Sequence, residues 1–289
     1  MTVGLAAICH RRYGERDGYA IISASDRMIT RLDVDEYEPP TTKCAELAPG
    51  VLLLIAGITQ AHSEALTKTE DSLAASPKKD VGEIAEIYAS HIRAFRLRLV
   101  THLYLSTVGL THENLLNMEN RQLASDITNQ MQTHRFDCEA IVAGFSGESP
   151  RLRHINSDGF VTAHENDGFV SIGIGSSHVE SEMMTARFTS EWLYHETLFL
   201  AYSAKKRAEV AAGVGKSTDM MVVAQDKGRV EHLDRHAFWK IGELFDQARM
   251  KRDAIEQEAH STLSGFLSKP PAAQLTEWLI ATTSSKVQR

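Results

Sequence analysis

Four short apolar stretches near the start of the chain decide the fold: TVGLAAI at 2–8, GYAIISAS at 18–25, TKCAEL at 42–47 and VLLLIAG at 51–57. Each stretch is aliphatic and is bounded by polar residues, Gly, Pro or Asp, which is typical of β-strands. A polar turn at 11–18 separates the first two stretches. The chain is therefore predicted to open with antiparallel hairpins.

The rest of the sequence alternates between helical and strand patterns. Apolar residues three and four positions apart predict helices between residues 60 and 133, among them segments at 80–105 and 114–131. Short apolar runs then predict four more strands, at 138–145, 151–157, 159–164 and 168–175. Further elements are predicted as a helix pair at 179–212, a strand pair at 218–234, a long helix at 235–259 and a short helix at 274–281. This order predicts an α+β fold, most simply an αββα sandwich of two antiparallel sheets between two helical layers.

Composition sets limits on the function. Lys and Arg number 31 and Asp and Glu 38, so the net charge of −7 disfavours nucleic acid as a partner. No apolar run is long enough to cross a membrane, and no signal peptide is predicted. Cys9, Cys44 and Cys138 form no paired motif, which favours a reducing, cytoplasmic location. Residues 1–260 are predicted to form one domain, with 261–289 as a C-terminal helical appendage.

Several candidate motifs for nucleotide or metal binding are incomplete, so they do not indicate a cofactor or a metal. Gly215-Lys216-Ser217 has the ending of a phosphate loop, but it follows a helix and enters a strand, the reverse of the required order. Gly173-Ile174-Gly175 lacks the third Gly of a dinucleotide-binding fingerprint. The thirteen His residues include no HExxH pattern. We therefore expect neither a cofactor nor a metal.

Thr2 is the strongest candidate for a catalytic residue. Aminopeptidases remove an initiator Met readily when a small residue follows, so Thr2 is expected to become the mature N-terminus. An α-amino group has a pKa of about 7.7–8.0 and can serve as a general base near neutral pH. A terminal Thr therefore supplies a nucleophilic hydroxyl and its base together.

Three further signals accompany Thr2. Asp26 ends the second apolar stretch, Lys43 follows 17 residues later, and Ala56-Gly57 ends the fourth stretch. With these spacings, and with Gly173-Ile174-Gly175-Ser176 before a later helix, the chain resembles the proteasome β-type and HslV-type peptidases. These are N-terminal nucleophile (Ntn) hydrolases of the αββα fold. The resemblance covers about residues 2–235 and points to a bacterial proteasome-like protein.

The resemblance implies a role for each residue. Thr2 would attack the substrate carbonyl with its own amine as base, and Lys43 would lower the pKa of neighbouring groups and stabilise negative charge. Asp26 would keep Lys43 charged, the Gly57 N–H would bind the oxyanion, and Ser176 would orient the terminal amine. The implied activity is threonine-type endopeptidase cleavage of peptides or unfolded proteins. A homo-oligomeric ring and an ATP-dependent unfoldase are the implied partners.

Departures from the family pattern leave two alternatives open. Ala211 and Val214 stand where an Asp and a Ser commonly support the terminal amine. Matching Val3-Gly4-Leu5 to the family strand places Thr2 two residues past the nucleophile position, whereas matching Leu5-Ala6 places it there. The two registers differ by about 6.6 Å along the strand. The alternatives are a catalytically inactive structural or assembly subunit of the same fold and an Ntn amidohydrolase that acts on small amides.

Overall fold

The computed structural model describes residues 2–13, 16–31, 35–38, 42–76 and 79–268. The strands are β1 (Gly4–Tyr13), β2 (Arg16–Ser25), β3 (Ile29–Arg31), β4 (Asp35–Tyr37), β5 (Cys44–Ala48), β6 (Val51–Gly57), β7 (Cys138–Ser146), β8 (Ser149–Ile155), β9 (Val161–Ala163), β10 (Phe169–Ile172), β11 (Asp219–Ala224) and β12 (Val230–His232). The α-helices are α1 (Thr59–Ala75), α2 (Val81–Tyr104), α3 (His112–Leu116), α4 (Arg121–Thr133), α5 (Ser176–Thr185), α6 (Tyr194–Ala208) and α7 (Arg235–Leu267). The protein is α+β, as predicted.

The first sheet has five antiparallel strands in the order β10-β1-β2-β11-β12. Its centre is the β1–β2 hairpin, in which Gly4 lies opposite Ser25. Gly4 begins β1 and Ser25 ends β2, so Thr2 and Asp26 both lie just beyond the same end of this hairpin. This register therefore brings Thr2 and Asp26 together. Asp219 also lies opposite Ser25, so β11 begins at the same end.

The second sheet is also antiparallel and five-stranded, in the order β5-β6-β7-β8-β9. Its second strand, β6, contributes Leu52 and Leu54 to a core shared with the first sheet. Leu53 faces the opposite way, into a second core against α1 and α2. Because β6 is buried on both faces, its sequence is an unbroken aliphatic run instead of an alternating one.

Helices cover the outer face of each sheet. On β1, Ala6 and Ile8 face the core between the sheets, whereas Leu5 and Ala7 are buried on the other face, where α5 and α6 pack. On the second sheet, α2 packs against β7 and β8. The result is a layered α+β arrangement with the two sheets face to face.

Two details differ from the sequence prediction. The single helix expected near residues 114–131 is two helices, because Thr111 caps the first and Asn120 caps the second. A further antiparallel pair, β3 and β4, was not predicted, and each of its strands has only three residues. The well-formed capping box of Asp80 and Glu83 starts α2 at the predicted place.

The chain divides into two compact units, Met1–Phe238 and Trp239–Arg289. The predicted boundary after residue 260 lies inside α7, which continues to Leu267 and so ends later than the predicted residue 259. The helix predicted at 274–281 lies outside the described residues. Among the helices that the structure describes, none has the length and apolar character needed to cross a membrane.

Candidate active site

Asp26 is the centre of the candidate site. It follows the last residue of β2 and is fully buried. Its Oδ1 accepts the Val3 N–H at 3.0 Å, while its Oδ2 accepts the N–H groups of Met28 at 3.0 Å and Gly215 at 2.9 Å. Three backbone donors from three separate segments therefore fix the carboxylate in place.

Thr2 and Lys43 complete the cluster around Asp26. Thr2 is 1% exposed, and its hydroxyl donates to Asp26 Oδ1. Lys43 Nζ donates to Thr2 Oγ1 and, at 3.2 Å, to Asp26 Oδ1. Thr2, Asp26 and Lys43, which the sequence and its family resemblance indicated as site residues, thus share one buried hydrogen-bonded cluster.

Burial affects the charge of Lys43. Its side chain is 13% exposed, and desolvation lowers the pKa of the ammonium, an effect that the ion pair with Asp26 opposes but does not reverse. An ammonium in contact with Thr2 Oγ1 stabilises negative charge that develops on that oxygen. The cluster can therefore activate the hydroxyl, but it includes no base with an ordinary pKa near 7.

Gly57 lines a cavity of about 260 Å³, and Thr2 and Gly173 line the same cavity. Its φ is +102°, and a Cβ there would lie 1.9 Å from the Asp137 carbonyl oxygen, so only Gly fits. The Ile55 N–H donates to Lys43 O at 3.2 Å, and the Ile58 N–H donates to Asp137 O at 2.9 Å. Because N–H groups alternate along a strand, the Gly57 N–H points to the Lys43 side.

Gly173 also lines the cavity and lies against Thr2. A Cβ at Gly173 would lie 2.4 Å from the Thr2 carbonyl oxygen, and the Gly175 N–H donates to that same oxygen at 3.3 Å. Glu139 Oε2 accepts the Gly173 N–H at 2.8 Å. The turn at 173–175 therefore holds the Thr2 backbone.

Ser176 is the first residue of α5, and its N–H donates to Gly173 O at 3.0 Å. It follows the turn that contacts Thr2, but it is not among the residues that line the cavity. The turn residues that do line the cavity are Gly173 and Ile174, and neither has a hydroxyl. The structure thus groups four of the five predicted residues around one cavity and cluster, with Ser176 beside them.

Two residues of the site were missed from the sequence. Gly215, part of the rejected phosphate-loop motif, donates to Asp26, and a Cβ there would lie 2.1 Å from Glu38 Oε1. Lys205, fully buried on α6, donates to the Gly215 carbonyl at 2.8 Å and to Glu209 at 2.6 Å. A lysine on the apolar face of a helix was the available signal, since such a residue needs buried partners.

Among the described residues, no group of three or more His, Cys, Asp or Glu side chains is arranged to hold a metal ion. The chain matches no protein-family model and no curated protein. The geometry of the site therefore carries the functional argument.

Proposed function

We propose that this chain is a threonine-type endopeptidase of the proteasome β and HslV kind, with the αββα fold of Ntn hydrolases. The observation that carries the proposal is the contact of Lys43 Nζ with Thr2 Oγ1, made beside a buried Asp26 at the start of β1. The two facing sheets with helices on their outer faces support the fold assignment.

The chemistry requires that the peptide bond between residues 1 and 2 be cleaved, because the amide nitrogen of an internal Thr2 is not basic. The freed α-amine then takes the proton from Thr2 Oγ1 as the oxygen attacks the scissile carbonyl. The Gly57 N–H donates to the resulting oxyanion, and Lys43 stabilises the charge. The protonated α-amine gives its proton to the leaving amine, and water hydrolyses the ester on Thr2.

The proposal extends to location and assembly. We propose a cytoplasmic protein, since all three cysteines are buried and free. The substrate is a peptide or unfolded protein, and the chain assembles as a homo-oligomeric ring, with an ATP-dependent unfoldase as a candidate partner. Exposed apolar side chains on and between the helices of residues 81–133 support a contact surface, among them Leu97, Val108 and Leu116.

A second candidate function is an inactive subunit of the same fold. It is favoured by Ile174, which gives the wall beside Thr2 an apolar side chain and supplies no hydroxyl to support the terminal amine. In this case Thr2, Asp26 and Lys43 would be a structural ion-pair cluster.

The test uses protein expressed without an N-terminal tag. Intact mass shows whether Met1 is absent, and an epoxyketone then probes for a covalent adduct on Thr2, since this reagent requires both a hydroxyl and a free α-amine. Wild type is expected to form the adduct and to cleave fluorogenic peptides, whereas Thr2→Ala does neither at an unchanged oligomer size. Processed protein that forms no adduct would favour the inactive subunit. Turnover of simple amides but not peptides by a monomer would indicate the small-amide enzyme.

A further inference from the structure

His62 is a buried histidine that lies close to the site but does not line the cavity. It is in the first turns of α1, five residues after Gly57, and is 2% exposed. Its ring stacks against Tyr88 of α2, with a centroid separation of 6.3 Å. A buried histidine needs hydrogen-bond partners for both ring nitrogens, and the identity of these partners shows what the residue does.

The partners determine which nitrogen of His62 carries the proton. Nε2 lies 2.9 Å from the Ala56 carbonyl oxygen, which can only accept, so Nε2 carries the proton and donates. Nδ1 lies 2.9 Å from the Tyr88 hydroxyl and accepts from it. Burial lowers the pKa of His62 to about 4, so the ring is neutral near pH 7. Cys138 Sγ, 3.4 Å from Nε2, is a further contact of the ring.

The Ala56 carbonyl and the Gly57 N–H belong to the same planar peptide unit. In a trans peptide the C=O and N–H point in opposite directions, so a donor on the Ala56 oxygen leaves the Gly57 N–H free to face the Lys43 side. A hydrogen bond accepted by the carbonyl also polarises the unit and strengthens donation by its N–H. The pairing of β6 with β7, in which Ala56 lies opposite Glu139, also holds this peptide, so His62 adds a side-chain donor to a carbonyl that already faces β7.

We infer that His62 is a positioning residue, which orients and polarises the Ala56–Gly57 peptide so that its N–H serves as the oxyanion donor. This inference rests on the proposed function, because only a reaction at Thr2 gives the Gly57 N–H an oxyanion to bind. The hydrogen bonds run from the Tyr88 hydroxyl to His62, from His62 to Ala56 O, and from the Gly57 N–H to the oxyanion. His62 itself touches neither substrate nor nucleophile.

Kinetics of three variants test the inference. His62→Leu removes the side-chain donor to Ala56 O and is expected to lower kcat about tenfold, less than the roughly 10²- to 10³-fold loss on removing an oxyanion donor itself. KM is expected to stay unchanged, since the oxyanion exists only in the transition state. His62→Gln keeps an N–H donor and should restore kcat. Tyr88→Phe removes the hydrogen bond to Nδ1 but keeps the Nε2 donor to Ala56 O, so it should lower kcat by less than His62→Leu does.

An NMR measurement tests the inference without measuring turnover. Labelling with carbonyl ¹³C-Ala and ¹⁵N-Gly marks only the three Ala-Gly peptides of the chain, Ala56-Gly57, Ala143-Gly144 and Ala212-Gly213. His62→Leu is expected to shift the Ala56-Gly57 signal upfield in the amide proton dimension and to leave the other two in place. His62→Gln should leave all three near their wild-type positions.

The outcomes separate the inference from the proposed function. A folded His62→Leu protein with wild-type kcat, or with an unmoved Ala56-Gly57 signal, would overturn the positioning role of His62. A wild type that gives no adduct on Thr2 and no turnover refutes the proposed function, and the His62 inference, which depends on it, is overturned with it. A tenfold loss of kcat together with a shifted signal supports both.

Discussion

Replacing Asp26 by Asn tests whether this carboxylate organises the site. Oδ1 accepts from Val3 N–H, Thr2 Oγ1 and Lys43 Nζ, and Oδ2 accepts from the N–H groups of Met28 and Gly215. An amide offers one oxygen and one NH₂ group. The NH₂ group must replace either Oδ1, which accepts three hydrogen bonds, or Oδ2, which accepts two. In either orientation, at least two buried donors therefore lose their acceptor.

The structure gives the size of the expected effect. Each buried donor that loses its acceptor costs about 1–3 kcal/mol, so two such donors predict a loss of roughly 2–6 kcal/mol in the free energy of unfolding. Urea unfolding at pH 7 measures this loss directly. Asp17→Asn is the matched control, because it breaks an ion pair with Arg12 in which the Asp17 side chain is 56% exposed. The control should cost less than about 1 kcal/mol.

A specific result would refute this reasoning. If Asp26→Asn lowered the free energy of unfolding by no more than Asp17→Asn does, at an unchanged urea m-value, the five hydrogen bonds on Asp26 would not hold the site together. Thr2 and Lys43 would then owe their positions to their own strands, and the carboxylate would be incidental.

Three further predictions concern the residues around Asp26. Lys43→Met should lower peptide turnover about 10²- to 10³-fold. It should also lower the free energy of unfolding, because it leaves the buried Asp26 carboxylate without its cation. Unchanged turnover would contradict the role of Lys43. The pKa of His62 is lowered from 6.5 to about 4 by burial, so the stability that depends on its neutral form is complete above pH 6.5 and is lost as the pH falls towards 4. That loss amounts to about 3 kcal/mol in the free energy of unfolding. Urea unfolding of His62→Gln should not show this loss between pH 6.5 and pH 4. An equal pH dependence in wild type and His62→Gln would show that another group is responsible. Gly173→Ala should slow epoxyketone adduct formation and should lower Tm more than the control Gly147→Ala does. Both glycines have positive φ, but only at Gly173 would the added Cβ lie 2.4 Å from the Thr2 carbonyl oxygen. Equal shifts in Tm would show that backbone strain, and not the contact with Thr2, accounts for the loss.

Local patterns in the sequence predict most of the elements. The aliphatic runs of β6 and β7 and the capping box of α2 are strong signals, and the structure has these elements where they were predicted. The β3–β4 pair was missed because a three-residue strand carries too little periodicity. The end of α7 was misplaced because Ser261 and the residues after it continue the helix without a break.

The site could be predicted where its residues lie next to the ends of strands. Thr2 precedes β1, Asp26 follows β2 and Lys43 precedes β5, and the arrangement of these strands brings the three residues together. Gly215 could not be found in this way, because it reaches Asp26 from a loop 189 residues further along the chain. The role of His62 depends on the direction of one carbonyl, which no spacing pattern encodes.

The energetics of Lys43 favour a chemical role over a structural one. Desolvation lowers its pKa by more than the pairing with Asp26 raises it, so near neutral pH the buried ammonium costs the fold stability. Replacing a whole buried ion pair by apolar residues of similar volume is often neutral or stabilising, whereas removing Lys43 alone would leave the buried Asp26 carboxylate without its cation. The stability of the fold therefore gives little reason for the Asp26–Lys43 pair as a whole. The Lys43 ammonium does have a use in stabilising charge on Thr2 Oγ1, the atom to which it donates.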